Sequence, residues 1–277
     1  MTLRSAATAA LVAAVACAAP ALHAATFALP GDGSTMVGRV HVVTDIGKST
    51  LLDVARRYDV GYEEIVGANP GVSVWLPPQN GRIVVPTRFV LPERPWTGIV
   101  INVAERRLYY FPEPKKGEAP QVMTYPLGIA REGWPTPLGR TAIVAKYRDP
   151  GWHVPRSIRE EPREDGEPAL AAYVPPGPDN PMGMHALRTG FGGIFIHGTN
   201  RPWGVGMRVS HGCLHLYPED AAELFARVRV GTPVRIVDEP QVVGGETEDP
   251  AGIAAEPYPY APYGAEANDA RAPEAEH

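Results

Sequence analysis

The 277-residue sequence predicts a mainly β protein whose larger part carries one or two short helices and follows a small β-α-α-β unit. Three observations lead there. Short β-branched and aromatic runs recur from Ile99 onward with turn residues between them. Gly and Pro are abundant, at 29 and 31 residues, which favours turns and short strands over long helices. Helical spacing of apolar residues is confined to two short segments before residue 70 and one that follows Pro218.

Arg4 is followed by an unbroken run of Ala, Leu, Val, Thr and Cys from Ala6 to Ala19, and small residues continue to Ala25. A positive start, a short apolar run and small residues make a signal peptide over residues 1–24, with cleavage between Ala21 and Ala25. The run is too short to span a bilayer comfortably, so the exported protein is expected to have no transmembrane helix. Cys17 lies inside this run, and Ala14-Val15-Ala16-Cys17 only weakly resembles a lipoprotein processing site. Cleavage downstream leaves Cys213 as the one thiol of an exported protein, with no intramolecular partner. A nucleophile and an inert buried thiol are both open at this point. The net charge of −5, without a basic stripe, gives no reason to expect nucleic acid as a partner.

Residues 37–90 form the small unit. Val40 to Val43 is β-prone, Thr50 with Asp53 makes a loose capping box, and Leu51, Leu52, Ala55 and Tyr58 follow at helical spacing. A second helix from Tyr62 to Ala68 stops at Asn69-Pro70-Gly71, and Arg82 to Pro86 closes the unit as a strand. This order, with the closing Asn80-Gly81-Arg82-Ile83-Val84-Val85-Pro86, resembles a LysM module, a glycan-binding fold. The usual Gly-Asp-Thr opening is replaced by Asp45 to Ser49. A structural spacer is the alternative.

Leu91 to Pro95 reads as a linker, and residues 97–238 as the larger domain. Its strands are expected at Ile99–Val103, Arg107–Phe111, Gln121–Ile129, Thr141–Lys146, Gly193–His197 and Pro233–Val237, with a long loop from Arg148 to Gly183. Its clear helix starts at Pro218, with Glu219 and Asp220 in the first turn and Ala221, Leu224, Phe225 and Val228 on one face. Residues 239–277 are rich in Ala, Glu, Pro and Gly, and are read as a disordered tail.

The chemistry concentrates in two stretches, Ile196-His197-Gly198-Thr199-Asn200 and Val209-Ser210-His211-Gly212-Cys213-Leu214-His215. A thiol attacks a carbonyl as thiolate and needs a nearby base. His197 ends a strand, a rigid place from which to aim a base. His211 shares a face with Cys213 if the segment is extended. Backbone amides of Gly212, Cys213 and Leu214 are candidate oxyanion donors. The rival reading is a zinc site on His211, Cys213 and His215 with His197 or His185, although ligands two apart on one strand splay too far to share an ion easily.

These stretches resemble the L,D-transpeptidase catalytic domain, whose signature is a His, a gap of about fifteen residues, then Ser-His-Gly-Cys. Thr136 to Arg140, Asp179 to Arg188 and Gly204 to Cys213 extend the likeness. With the LysM-like unit, the chain looks like the subgroup that attaches Braun lipoprotein to peptidoglycan. The resemblance implies a β-sandwich or barrel-like domain in the periplasm, acting without metal or cofactor. It makes Cys213 the nucleophile, His197 the general acid/base, the Gly198 carbonyl its orienter and His211 a supporting residue. Arg208, Ser210 and His215 become substrate-binding residues, His215 standing where Arg or Asn is usual. The implied donor is a peptidoglycan tetrapeptide stem that loses its terminal D-Ala through a Cys thioester. The acceptor is the C-terminal Lys of an outer-membrane lipoprotein, or diaminopimelate in 3→3 cross-linking, or a D-amino acid or water. Acylation of Cys213 by carbapenems is a further expectation. A non-catalytic wall-binding protein is the alternative of another class.

Overall fold

A computed structural model of the protein describes residues 25–161, 171–240 and 250–257. The expected signal peptide, Cys17 and most of the expected tail lie outside the described residues. In chain order the first part contains β1 (Ala25–Ala28), β2 (Met36–Gly38), β3 (His41–Thr44), α1 (Leu51–Arg57), α2 (Tyr62–Ala68), β4 (Ile83–Val85) and β5 (Arg88–Val90). The larger part begins with β6 (Gly98–Asn102), β7 (Arg107–Phe111), β8 (Gln121–Pro126), β9 (Ile129–Ala130) and β10 (Gly139–Arg148). It continues through β11 (Trp152–His153), α3 (Arg156–Arg159), β12 (Tyr173–Val174), β13 (His185–Thr189) and β14 (Phe195–His197). It closes with β15 (Arg208–Ser210), β16 (Leu214–His215), α4 (Pro218–Arg227) and β17 (Pro233–Val237), and β18 (Glu256–Pro257) follows.

The mainly β expectation is met. Nine strands form one sheet in the order β1-β8-β7-β6-β17-β10-β13-β14-β16. The β17–β6 and β14–β16 pairs are parallel and the others antiparallel. In β6, β7 and β8 both faces are buried, so these strands read as continuous apolar runs without alternation. Ile99, Ile101, Leu108, Tyr110, Met123 and Tyr125 join one core with Leu224 of α4. Their neighbours Val100, Tyr109, Phe111 and Val122 join a second core with Leu51, Val54, Ile65, Ile83 and Phe89 of the N-terminal unit.

The N-terminal unit therefore covers the back of the larger sheet. Its β3 and β4 pair antiparallel around the two helices, as the element order predicts. The α1 helix starts where expected because Thr50 Oγ1 accepts from Asp53 N at 3.1 Å and the Asp53 carboxylate accepts from Thr50 N at 2.7 Å. Leu91, read as part of a linker, is 2% exposed in the second core and donates its amide to the Thr35 carbonyl at 2.6 Å. Leu91 and Pro92 are thus packed chain, while Glu93, Arg94 and Pro95 stay exposed.

Three further differences have physical reasons. Strand β1 was not foreseen in its Ala-rich context; its order comes from edge pairing with β8, Ala25 opposite Thr124. Strand β13 emerges just after the expected long loop, whose Gly and Pro residues masked it, and it pairs with β10 and β14. Residues 250–257, assigned to the disordered tail, instead dock on the N-terminal unit. There β18 pairs with β3, and Arg82 Nη2 donates to the Ile253 carbonyl at 2.7 Å, so backbone hydrogen bonds replace the missing apolar residues.

Candidate active site

The parallel β14–β16 pair places Ile196 opposite Leu214 and His197 opposite His215. Side chains alternate along a strand, so Ile196 and Leu214 enter the first core while the two histidines share the other face. Their rings stand 4.6 Å apart, centroid to centroid. Cys213 immediately precedes β16, two residues before His215, and β16 in turn pairs with the strand that carries His197.

His197 is 2% exposed, and its Nδ1 lies 2.6 Å from the Gly198 carbonyl oxygen. A carbonyl only accepts, so Nδ1 carries the proton and Nε2 keeps its lone pair. Burial pushes the imidazole pKa down to about 4, against backbone hydrogen bonds to Gly198 and Met182 that favour the charged form. His215 is held well below the ordinary histidine value by burial first, then by His197 and His211. The half-buried Cys213 thiol contacts the Gly193 carbonyl at 3.7 Å. Burial raises its pKa, and a backbone hydrogen bond from Phe195 opposes the rise. Burial thus favours the neutral form of both the thiol and the imidazole.

The loop before Cys213 is fixed by its own polar groups. Gly212 has φ +110°, a conformation that favours glycine. Thr136 Oγ1 donates to the Gly212 carbonyl at 3.1 Å, and Ser210 Oγ donates to the Cys213 carbonyl at 2.5 Å. The Gly212 amide in turn donates to Ser210 Oγ at 3.3 Å. Two expectations change here. Ser210, expected to touch substrate, is 2% exposed and its hydroxyl is used inside the loop. Gly212, expected to supply an oxyanion donor, directs its amide to that hydroxyl. Leu214 pairs with Ile196 in the ladder, which leaves the Cys213 amide as the candidate donor outside both arrangements.

His211 does not extend along one face with Cys213 and His215, because the turn at Gly212 breaks the strand. Its Nε2 lies 2.8 Å from Glu161 Oε2 and 2.8 Å from Arg131 Nη2, and Trp134 meets its ring edge-on at 5.0 Å. His185 packs against Phe225, 4.9 Å between centroids. The alternation behind the zinc reading is therefore absent. Arg208 is exposed on β15, its Nη1 3.5 Å from the Ala130 carbonyl. Sequence reasoning missed Arg131, Trp134 and Glu161. They reach His211 from loops 80, 77 and 50 residues away, and no spacing pattern marks them.

Residues 97–236 match the YkuD family, the L,D-transpeptidase catalytic domain. The chain belongs to the L,D-transpeptidase family. His197, Cys213 and every other residue of the site described above fall within that match. Among L,D-transpeptidases, the probable L,D-transpeptidase YcfS of Escherichia coli (strain K12) is 42% identical over 240 residues, 84% of this chain and 73% of that protein. The probable L,D-transpeptidase ErfK/SrfK of Salmonella typhimurium is 41% identical over 221 residues, 78% of this chain and 69% of that protein. The crystal structure of L,D-transpeptidase 3 from Mycobacterium tuberculosis aligns over 57% of this chain and 67% of that one, at 21% identity and a TM-score of 0.37. The chain is accordingly a transpeptidase, an acyl-transferring enzyme.

Proposed function

We propose that this L,D-transpeptidase works in the periplasm on peptidoglycan tetrapeptide stems, through a thioester on Cys213, and passes the stem to the C-terminal Lys of an outer-membrane lipoprotein. The observation that carries the chemistry is His197, held as the Nδ1–H tautomer by Gly198 on the strand paired with β16, which Cys213 immediately precedes. Nε2 takes the thiol proton as Sγ bonds to the carbonyl carbon of the residue before the terminal D-Ala. The Cys213 amide is offered to the oxyanion. Collapse breaks the C–N bond, and His197 returns the proton to the departing D-Ala amine. The acceptor amine then attacks the thioester, its proton goes to His197, and the thiol is restored. No ATP is needed, since the thioester conserves the acyl transfer potential of the cleaved amide.

The acceptor rests on the layout. Similarity to YcfS spans 240 residues, more than the catalytic match of 97–236, so it includes much of the N-terminal unit. We read that unit as LysM-like and the whole as a lipoprotein-anchoring enzyme, exported by the signal peptide of residues 1–24.

The test incubates the protein with disaccharide-tetrapeptide and follows D-Ala release and intact mass. A tripeptide adduct on wild type, absent from Cys213→Ala, is expected. Wild type that releases no D-Ala, under conditions where another L,D-transpeptidase does, overturns the donor reading. Adding a lipoprotein C-terminal peptide should yield a Lys-linked product; 3→3 dimers formed in its place would overturn the acceptor. A carbapenem should acylate Cys213 and leave Cys213→Ala unmodified.

A further inference from the structure

Arg131 and Glu161 have no place in the chemistry above, yet they stand beside the nucleophile loop. Arg131 follows β9, which pairs with β15, and its amide donates to the Ser210 carbonyl at 3.0 Å. Its guanidinium is thereby held next to His211, two residues from Cys213. Arg131 Nη2 and His211 Nε2 are 2.8 Å apart, and the Glu161 carboxylate closes on both. A guanidinium nitrogen only donates, and an ionised carboxylate only accepts. With a proton on Nε2, His211 donates to Glu161 Oε2, and Arg131 and His211 then present two donors side by side. Such a pair is stable around an anion and repulsive without one. The hydrogen bonds from Arg131 and His211 also hold the Glu161 carboxyl below its ordinary value, so the occupant is anionic.

We infer that Arg131 and His211 form a carboxylate-recognition subsite for the donor stem, which Glu161 fills as an internal stand-in until a substrate carboxylate replaces it. This inference rests on the tetrapeptide-stem reading above. A stem offers the carboxylate of the terminal D-Ala, one residue from the carbonyl that Cys213 attacks, and the side-chain carboxylate of the diaminopimelate. Either satisfies the same two donors. Trp134, edge-on to His211, fixes the imidazole plane so that Nε2 faces the anion. Arg131 is then a specificity-determining residue, and Glu161 sets how strongly the free site competes with substrate.

The experiment measures D-Ala release by the full chain and its Arg131→Gln, Arg131→Lys and Glu161→Gln variants. The donors are disaccharide-tetrapeptide, the same donor with a C-terminal D-alaninamide leaving group, and the same donor with an amidated diaminopimelate. Arg131→Gln should raise KM about tenfold or more on the carboxylate donor while kcat changes little, as expected for a lost charge-assisted contact. Arg131→Lys should recover part of that loss. Glu161→Gln should lower KM. The amidated donor that removes the recognised carboxylate should make wild type and Arg131→Gln alike, and so identifies which carboxylate binds. Binding of the tetrapeptide to the Cys213→Ala protein by calorimetry should show the same ranking without turnover.

An equal effect of Arg131→Gln on all three donors, or no effect on any, overturns the subsite. So does a Glu161→Gln variant that binds the stem more weakly. If wild type releases no D-Ala and the Cys213→Ala protein does not bind the stem, the donor reading itself has failed. Normal turnover by wild type with indifferent Arg131 variants fails the subsite alone.

Discussion

Arg107 Nη2 lies 2.7 and 2.6 Å from the two carboxylate oxygens of Glu64, and this ion pair crosses from β7 to α2 of the N-terminal unit. Arg107 is 1% exposed, lies 3.9 Å over the Phe89 ring, and donates also to the Asp59 carbonyl and Thr124 Oγ1. Next to it, Tyr62 N donates to the Val205 carbonyl at 2.9 Å, and a Cβ on Gly61 would meet Gly206 Cα at 2.7 Å. Residues 205 and 206 belong to the segment between His197 and Cys213. The N-terminal unit thus supports the back of the catalytic sheet and touches the active-site segment.

Glu64→Ala leaves a buried guanidinium without its anion and should cost about 3 kcal/mol, read as a lowered thermal midpoint. A fragment beginning at Trp96 would expose Val100, Tyr109, Phe111 and Val122, each worth roughly 1.5–3 kcal/mol when buried. That sum rivals the whole stability of a typical domain, so the fragment should not melt cooperatively. A soluble fragment with a sharp calorimetric transition would contradict the shared core.

As the proposed base, His197 should set the acid limb of activity through its pKa. Its imidazole must be neutral to accept the thiol proton, and burial places its pKa at about 4. The kcat/KM for D-Ala release should be constant above about pH 5 and fall as pH drops through 4, whereas an ordinary histidine would put the limb near about 6.5. Because burial raises the Cys213 pKa, its alkylation by iodoacetamide should keep accelerating beyond the pH at which a free thiol levels off. A limb at 6.5 would mean that the working base is another group or a more exposed one.

The residues proposed to react stand out in the sequence because their chemistry is local. A His-Gly pair, Ser-His-Gly-Cys and a lone thiol are short patterns with few other uses. What surrounds them was not legible, since it depends on long-range packing. Glu161 meets His211 across 50 residues, and Arg107 meets Glu64 across 43. The continuous apolar run of β6 did signal burial on both faces, but it could not name the partner. Leu91 in the supposed linker was that clue, overshadowed by Pro92 and Pro95.

Asp220 and Asp59 bear on the same seam. Both carboxyls are buried, Asp220 Oδ2 has no hydrogen-bond partner among the described residues, and burial raises both pKa values, Asp59 to about 7. A carboxyl with a raised folded pKa binds protons more strongly folded than unfolded. Stability is therefore lost as pH rises from the ordinary carboxylate range through the folded value. Asp220→Asn removes that charge and should raise the melting temperature at pH 8 while changing little at pH 3. Equal shifts at both pH values would show that packing, not ionisation, governs the site.

Gly212 is the turn that aims Cys213, and two costs of adding a methyl there can be separated. A Cβ would stand 3.2 Å from Ile194 Cδ1, the end of a flexible side chain that can yield. The φ of +110° cannot be relieved so cheaply, and an L-residue there costs on the order of 1–2 kcal/mol. Gly117 offers a control, with φ +85° and open space around its Cβ position, remote in sequence from the site. Gly117→Ala and Gly212→Ala should lose similar stability in thermal melts. Only Gly212→Ala should lose activity, by about a hundredfold in kcat, because the strained turn relaxes by rotating the Thr136-held carbonyl and carries the thiol away from His197. Full activity in Gly212→Ala, at a melting temperature no higher than that of Gly117→Ala, would show that the turn shapes the loop without positioning the nucleophile.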